Sequence, residues 1–184
     1  MRAQHLDEKA RRVVTGNDSD GRSRVTLDEV VTTRVELPAF TLNDLWQVDA
    51  VPTQLEADDT LTDVVDVAPP PQGVVVRLVT FAADSEVDGE QYGSSIDTLH
   101  GEKYNAGNHE AVGMHFTPTV DIDTVIDGEI VCIMESGEEV LLQKGDTIIN
   151  RGTKHAWSNR TCRPATVVAT ILPTNSTAPG PVAP

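Results

Sequence analysis

Cysteine is scarce in this chain of 184 residues, which contains only two. Cys132 and Cys162 each stand alone in a β-branched run, so the sequence offers neither the Cys-x-x-Cys spacing of a zinc site nor a disulfide framework. A cysteine in such surroundings behaves as a small apolar side chain. We therefore expect both to be buried, reduced thiols.

Positive charge is also sparse. Lys and Arg together number 14 against 29 Asp and Glu, which gives a formal net charge of −15. A surface of this sign repels the phosphate backbone of nucleic acids and gains nothing from anionic lipids. We expect no nucleic-acid partner.

Long apolar runs are missing too, although 39% of the residues are hydrophobic. No run approaches the ~20 residues that a membrane helix needs. The first residues, MRAQHLDEKARRVVTG, include basic side chains but no apolar segment behind them, unlike a secretory signal. The sequence predicts a soluble, cytoplasmic protein with no membrane partner.

Length and apolar content predict one domain, and no internal repeat indicates a second copy. Residues 1–24 are expected to form an N-terminal arm, a short helix or loose segment that ends in the turn-rich stretch GNDSDG. Residues 25–73 combine N-terminal covering strands with the Pro-rich entry APPPQG, whose prolines lack the N–H that a sheet ladder requires. A barrel is expected over 74–172, and a disordered tail over 173–184.

Strand signal dominates 74–172, beginning with VVVRLVTFA and continuing in short β runs with no apolar stripe of helical period. This pattern is typical of an all-β fold, an antiparallel barrel or sandwich. A polar insertion at 84–113, about thirty residues long where connections usually have ~4–6, interrupts the strands and includes the possible helix SSIDTLHGEK. We expect it to be a lid over the barrel mouth.

Two segments carry candidate chemistry, MHFTPTVDIDTVIDGE at 114–129 and GDTIINRGTKHAWSN at 145–159. Together they resemble the paired motifs of the cupin superfamily, G-x5-H-x-H-x(3,4)-E-x6-G and G-x5-P-x-G-x2-H-x3-N. Counting back from Gly128 places the first histidine on His115 and the glutamate position on Asp121. The matching residues of the second motif are Gly145, Gly152, His155 and Asn159.

The resemblance implies a single-domain cupin, a small antiparallel β-barrel of the jelly-roll or double-stranded β-helix type. Such proteins are often homodimers in which N-terminal strands cover the partner's sheet. Cupins with the full motif hold iron, manganese, nickel or zinc through three histidines and a glutamate. The first motif is degenerate here, because Thr117 cannot replace an imidazole, and Arg151 stands at the proline position of the second. The ligand set that remains for a divalent metal ion is His115, Asp121 and His155.

The residues themselves support part of this site. Every second position from 115 to 123 carries a polar side chain, namely His115, Thr117, Thr119, Asp121 and Asp123. Side chains at alternate positions of a strand lie on the same face. Polar side chains inside a small barrel are costly unless hydrogen bonds, a metal or water satisfy them. The alternation of polar residues therefore predicts a cavity that contains water. Two histidines with one carboxylate also match the ligands of facial-triad iron sites.

Several alternatives stay open for these residues. His115 and His155 could be hydrogen-bonded barrel histidines without a ligand. Arg77, inside VVVRLVTFA, is a candidate catalytic residue that would hold a substrate carboxylate, or else a solvent-facing residue of an edge strand. His155 and Thr117 complete the candidate catalytic set. The insertion adds a candidate lid acid or base and two candidate replacement ligands: His100, His109 and Glu110.

The resemblance favours a small-molecule enzyme of lyase type, a decarboxylase or dehydratase that acts on an oxygenated organic metabolite with the help of a divalent ion. The same ligands would suit a non-haem Fe(II) dioxygenase. A metal-free cupin that only binds a small-molecule ligand is the third possibility. A sugar-nucleotide epimerase is disfavoured, because the expected core is short of Lys and Arg for a diphosphate.

Overall fold

The computed structural model describes residues 3–99, 104 and 111–176. These residues form an all-β protein with one α-helix. Short 3-10 helices occupy Gln4–Asp7 and Asp84–Glu86, and α1 spans Gly89–Thr98. The strands are β1 (Arg11–Asn17), β2 (Ser23–Val30), β3 (Arg34–Glu36), β4 (Phe40–Val48), β5 (Val74–Phe81), β6 (Thr119–Asp127), β7 (Glu129–Met134), β8 (Glu139–Gln143), β9 (Thr147–Arg151), β10 (His155–Ser158) and β11 (Ala165–Pro173).

Every pair of neighbouring strands is antiparallel, as the sequence predicted. Six strands form one sheet in the order β3-β4-β5-β11-β6-β9, and three form a second in the order β10-β7-β8. The main core cluster draws buried residues from both sheets, such as Val125 and Val167 from the first and Ile130 and Trp157 from the second. The two sheets therefore pack face to face over one core, which is the jelly-roll arrangement expected.

The N-terminal arm is a β-hairpin rather than a helix or loose segment. Strands β1 and β2 pair with each other alone, and the predicted turn lies between them, where Asp18 accepts hydrogen bonds from the backbone N–H groups of Asp20 and Arg22. Because β2 begins at Ser23, the predicted boundary at residue 24 falls inside a strand. About half the surface of Val13 and Val25 in the hairpin is exposed. A second copy of the chain would cover these side chains in the predicted homodimer, which stays a prediction.

Of the covering strands expected before residue 74, β3 and β4 belong to the six-stranded sheet itself, whereas β2 pairs only with β1. Strand β4 pairs with β5 along its length, and β3 pairs with β4. Phe40 and Leu42 of β4 are buried in the main core cluster. The sequence hid this relation because the Pro-rich segment between β4 and β5 separates partners that are adjacent in the sheet.

Helix α1 forms half of the described part of the insertion. Asp88 caps it by accepting from the backbone N–H of Gln91 at 2.8 Å, while the Asp88 N–H donates to the Gln91 side chain at 3.1 Å, which is a capping box. The helix buries Ile96, and Leu99 follows it into the core. It overlaps the predicted segment SSIDTLHGEK but begins earlier. His100, His109 and Glu110 lie outside the described residues.

The two cysteines differ in environment. Cys132 is buried on β7, as expected, whereas the prediction for Cys162 is wrong, because it is exposed in the turn between β10 and β11. The tail expected from residue 173 begins at the last residue of β11, and residues 177–184 lie outside the described part of the chain. No helix in the described ranges is long and apolar enough to cross a membrane.

Gly73 sits where the chain enters β5 against the backbone of β4. A Cβ on Gly73 would overlap the carbonyl group of Val48, and a backbone carbonyl cannot move aside cheaply. We expect Gly73→Ala to lower the free energy of unfolding by about 1–3 kcal/mol, as overpacking usually does. Gly93, inside α1 with open space around its Cβ position, is the matched control: Gly93→Ala should raise that free energy by about 0.5–1 kcal/mol. Guanidinium denaturation measures both, and a neutral Gly73→Ala would contradict the tight β4–β5 contact.

Candidate active site

The two motif histidines meet across a short antiparallel bridge. The backbone N–H of His115 donates to the carbonyl of His155 at 3.0 Å, and the N–H of His155 donates back at 2.9 Å. Residues that face each other in an antiparallel pair project their side chains to the same side. The imidazole rings accordingly lie side by side, with their centroids 4.7 Å apart.

Backbone carbonyls fix the tautomer of both rings. Nδ1 of His115 lies 2.8 Å from the carbonyl oxygen of Gly113, and Nδ1 of His155 lies 2.9 Å from that of Thr153. A carbonyl oxygen only accepts, so each Nδ1 carries the hydrogen and each neutral ring keeps its lone pair on Nε2. Burial, together with the neighbouring His155, lowers the pKa of His115 to about 4, and burial also lowers the pKa of His155. Each of the two adjacent rings therefore has an Nε2 lone pair available at neutral pH.

The histidines open onto a small cavity of about 100 Å³ between the two sheets. Its apolar walls include the rings of Phe40, Phe81 and Trp157, with the Phe81 and Trp157 centroids 5.8 Å apart. Trp157 also meets the ring of His155 edge-on at 5.7 Å. Helix α1 closes one side with Tyr92 and Ile96, so the insertion does supply part of the cavity wall.

The polar residues at alternate positions of the first motif lie on the interior face, as predicted. His115, Thr117, Asp121 and Asp123 all line the cavity. Thr119 is buried beside them, and its hydroxyl is hydrogen-bonded to that of Thr117. The second motif contributes His155 to the same space, and its Gly152 turns the chain with a φ of 60° just before that residue. Residues from both motifs thus converge on one interior site.

Curated proteins with related sequences place this architecture in a family. The cupin-domain-containing oxidoreductase srdB of Neurospora crassa is 33% identical over 103 residues, which are 55% of this chain and 40% of that protein. The cupin-domain-containing oxidoreductase fogC of Aspergillus ruber is 25% identical over 156 residues, which are 82% of this chain and 64% of that protein. The chain belongs to the cupin superfamily. His115, Asp121 and His155 line its cavity, and their role as metal ligands stays a prediction.

Other comparisons give shorter or weaker matches to this cupin. Phomopsin biosynthesis cluster protein C' of Diaporthe leptostromiformis is 47% identical over 47 residues, 26% of this chain and 25% of that protein. The matches thus span less than two thirds of each of these three curated relatives. The crystal structure of ectoine synthase from P. lautus has a TM-score of 0.43 at 10% identity, covering 77% of this chain and 70% of that chain. No family model matches the chain.

Two carboxyl groups of β6 share the cupin cavity. Asp121 accepts from the Thr117 hydroxyl at 3.5 Å through Oδ2, while its buried Oδ1 has no hydrogen-bond partner among the described residues. Asp123 accepts from the side-chain amide of Asn150 at 3.2 Å. Burial raises the pKa of Asp121, and burial with the neighbouring Asp121 raises that of Asp123 to about 7. The cavity therefore holds two carboxyl groups that resist ionisation.

Arg77 is buried in the cavity wall, so the alternative that it faces solvent on an edge strand is wrong. Its Nε lies 2.9 Å from Oδ1 of Asp44, and one terminal nitrogen donates to the other Asp44 oxygen at 3.2 Å. The guanidinium thus already has a carboxylate partner inside the protein. A contact between Arg77 and a substrate carboxylate stays a prediction.

The donors of the cavity fit a metal ion in part. Ligating histidines usually donate their other ring N–H to a carbonyl or carboxylate, as His115 and His155 do, and the unpartnered Oδ1 of Asp121 is a further oxygen donor. As placed, however, the described ranges contain no group of three His, Cys, Asp or Glu side chains that could hold an ion together. The site brings the predicted ligands His115 and His155 into contact. Coordination of an ion by these two residues and Asp121 stays a prediction.

The sequence did not reveal some residues of the site. Asp44 lies directly opposite Arg77 in the β4–β5 register, a relation that only the pairing of these strands discloses. Tyr92 was also missed, although it belongs to the insertion that was predicted to cover the barrel. Gly113 is a further case: a Cβ there would overlap the Tyr92 ring, so the absence of a side chain lets α1 pack on the carbonyl that orients His115.

Proposed function

We propose that the cavity is the active site of a small-molecule enzyme that holds a divalent iron, manganese, nickel or zinc ion through Nε2 of His115 and His155, with Asp121 as a third ligand. The observation that supports it most directly is the pair of histidine rings that lie side by side in the wall of a largely apolar cavity, each with its Nδ1 turned to a backbone carbonyl and its Nε2 left to accept. A bound ion of this kind would polarise a substrate oxygen and stabilise negative charge that forms on it.

The other residues of the cavity have complementary roles in this proposal. Thr117 holds the Asp121 carboxylate in orientation through its hydroxyl. The aromatic wall of Phe40, Phe81 and Trp157 excludes water and receives the apolar part of a substrate. The substrate class that follows is a small organic molecule with an oxygen function at the histidine end and an apolar ring or chain beyond it.

Oxidation is the reaction class that the curated relatives favour, since srdB and fogC are both named oxidoreductases. Another relative carries the name of a phomopsin biosynthesis cluster, which fits an enzyme of small-molecule biosynthesis. We therefore place oxidation with dioxygen, by an iron-containing enzyme, first.

A lyase is the second candidate, and Asp123 is the observation that favours it. This carboxyl lies in the cavity beside the proposed ligand Asp121 and is held by Asn150. Elimination and decarboxylation both require a group that moves a proton near the charged intermediate. Asp123 has the position for that role.

Elemental analysis tests the metal site. The purified protein, loaded separately with each of the four ions and desalted, should retain close to one ion per chain. His115→Ala and His155→Ala should each weaken binding at least about tenfold. His5→Gln is the matched control, because His5 is buried against the Leu37 carbonyl, outside the residues that line the cavity. Equal metal content in all four proteins would sink the proposed ligand set and leave the metal-free, ligand-binding alternative.

The reaction class is tested by turnover of a panel of small hydroxylated, keto and carboxylated aromatic compounds, with and without dioxygen. Product formation coupled to oxygen consumption supports the oxidoreductase. Release of carbon dioxide or water at the same rate under nitrogen supports the lyase instead.

A further inference from the structure

A row of four buried residues, three of them ionisable, runs across the six-stranded sheet and forms the cavity floor along most of its length. Strand register places Asp44 opposite Arg77, Arg77 opposite Ala169, and Ala169 opposite Asp123. Each of the four exposes 6% or less of its surface. Since Ala169 is small, the cavity reaches the sheet between Arg77 and Asp123, and all three of these residues line it.

Each nitrogen of the Arg77 guanidinium faces an oxygen atom of the protein, although Nε and Oδ1 of Asp44 pair by charge and distance without a well-aligned hydrogen bond. Nε and one terminal nitrogen face the two oxygens of Asp44 at 2.9 and 3.2 Å, and the other terminal nitrogen donates to the Val67 carbonyl at 3.5 Å. Asp44 is held in turn by its strand, where its N–H donates to the Thr33 carbonyl at 2.9 Å. A substrate carboxylate would have to displace a carboxylate that is already in place and already desolvated.

Arg77 is the one permanently charged cation among the described residues that line the cavity. With Arg77 paired to Asp44, an anion buried at the cavity floor would lose its hydration without gaining a free cation in exchange. The floor of the cavity is therefore suited to an uncharged group.

We propose that Asp44 determines the substrate specificity of the cavity. Because Asp44 is paired with Arg77, the site accepts an uncharged aromatic compound and rejects a compound of similar size that carries a carboxylate or phosphate. The proposal rests on the proposed function, because it requires the cavity to bind a small molecule. It assigns Asp44 a part in ligand discrimination although Asp44 itself does not line the cavity.

Benzyl alcohol and benzoate are matched probes, since they share a ring and differ in charge. Their binding is measured by isothermal titration calorimetry on the protein as purified and after dialysis against a chelator, because a bound metal ion would attract benzoate by itself. In the chelated wild type, benzyl alcohol should bind at least about tenfold more tightly than benzoate. Asp44→Asn frees Arg77 and should raise benzoate affinity at least about tenfold, while benzyl alcohol changes less than about threefold.

Asp44→Leu combined with Arg77→Met is the second variant, which keeps the proposal testable if Asp44→Asn does not fold. With both charges removed, the double variant should bind benzyl alcohol like the wild type and gain nothing for benzoate. Benzoate binding to the chelated wild type as tightly as benzyl alcohol, with loss in Arg77→Met, would overturn the role of Asp44 and leave the active site intact. Failure of the wild type to bind either probe would overturn this proposal, whereas the proposed function is decided separately by the metal content of the wild type and its histidine variants.

Discussion

Arg77→Met is expected to lower the free energy of unfolding by about 3–5 kcal/mol at neutral pH, because it leaves the Asp44 carboxylate buried without its partner. The side chains of the pair expose 3% and 2% of their surface, so solvent cannot take the place of the lost cation. Burial raises the pKa of Asp44, and Arg77 opposes that rise. Without Arg77 the carboxyl would take up a proton more readily, so the loss of stability should shrink as the pH falls.

The double variant Asp44→Leu/Arg77→Met distinguishes the loss of the whole ion pair from the cost of leaving one buried charge without its partner. Replacing both buried ions by apolar side chains of similar volume is often neutral or stabilising, so most of the lost stability should return. Arg160→Met is the control, since Arg160 and its partner Glu139 are exposed, and it should leave stability unchanged within the error of denaturant titrations. A coupling energy near zero in the double-mutant cycle would show that Arg77 and Asp44 do not stabilise each other.

Much of the candidate site follows from local sequence rules. Alternation along a strand is enough to place His115, Thr117, Asp121 and Asp123 on one interior face, and the second motif adds His155. Local rules do not give partners that come from distant strands. The carboxylate that occupies Arg77 comes from β4, which the Pro-rich segment separates from β5, so the ion pair needed the sheet register to be seen.

The fold shows the same limit. Strand density and turn residues predict the all-β class, because period-2 patterns and Asp-Gly or Gly-Asp turns are local signals. The extent of the barrel was underestimated, because whether β4 covers the barrel or pairs with β5 depends on long-range hydrogen bonds. The prediction that Cys162 is buried was wrong for a related reason, because apolar neighbours in sequence do not bury a residue that lies in a turn.

Two titratable groups of the cavity should make stability depend on pH with opposite signs. Asp123 has an ordinary pKa of 3.8 and a folded pKa of about 7, so between these values the folded state binds the extra proton and stability falls as pH rises. His115 has an ordinary pKa of 6.5 and a folded pKa of about 4, so the unfolded state binds the extra proton and stability rises with pH. The full effects are about 4 and about 3 kcal/mol, and they nearly cancel between pH 4 and 6.5.

Asp123→Asn should remove one side of this balance. Its amide oxygen can still accept from Asn150, but no charge is buried at high pH, so the variant should gain up to about 4 kcal/mol over the wild type at pH 8 and little at pH 4. Guanidinium denaturation in chelator, repeated across this range, measures the difference. His115→Gln is the reciprocal control, with a gain confined to acid pH because it removes the rising contribution. If the wild-type and Asp123→Asn curves ran parallel, Asp123 would ionise as readily in the folded cavity as in the unfolded chain.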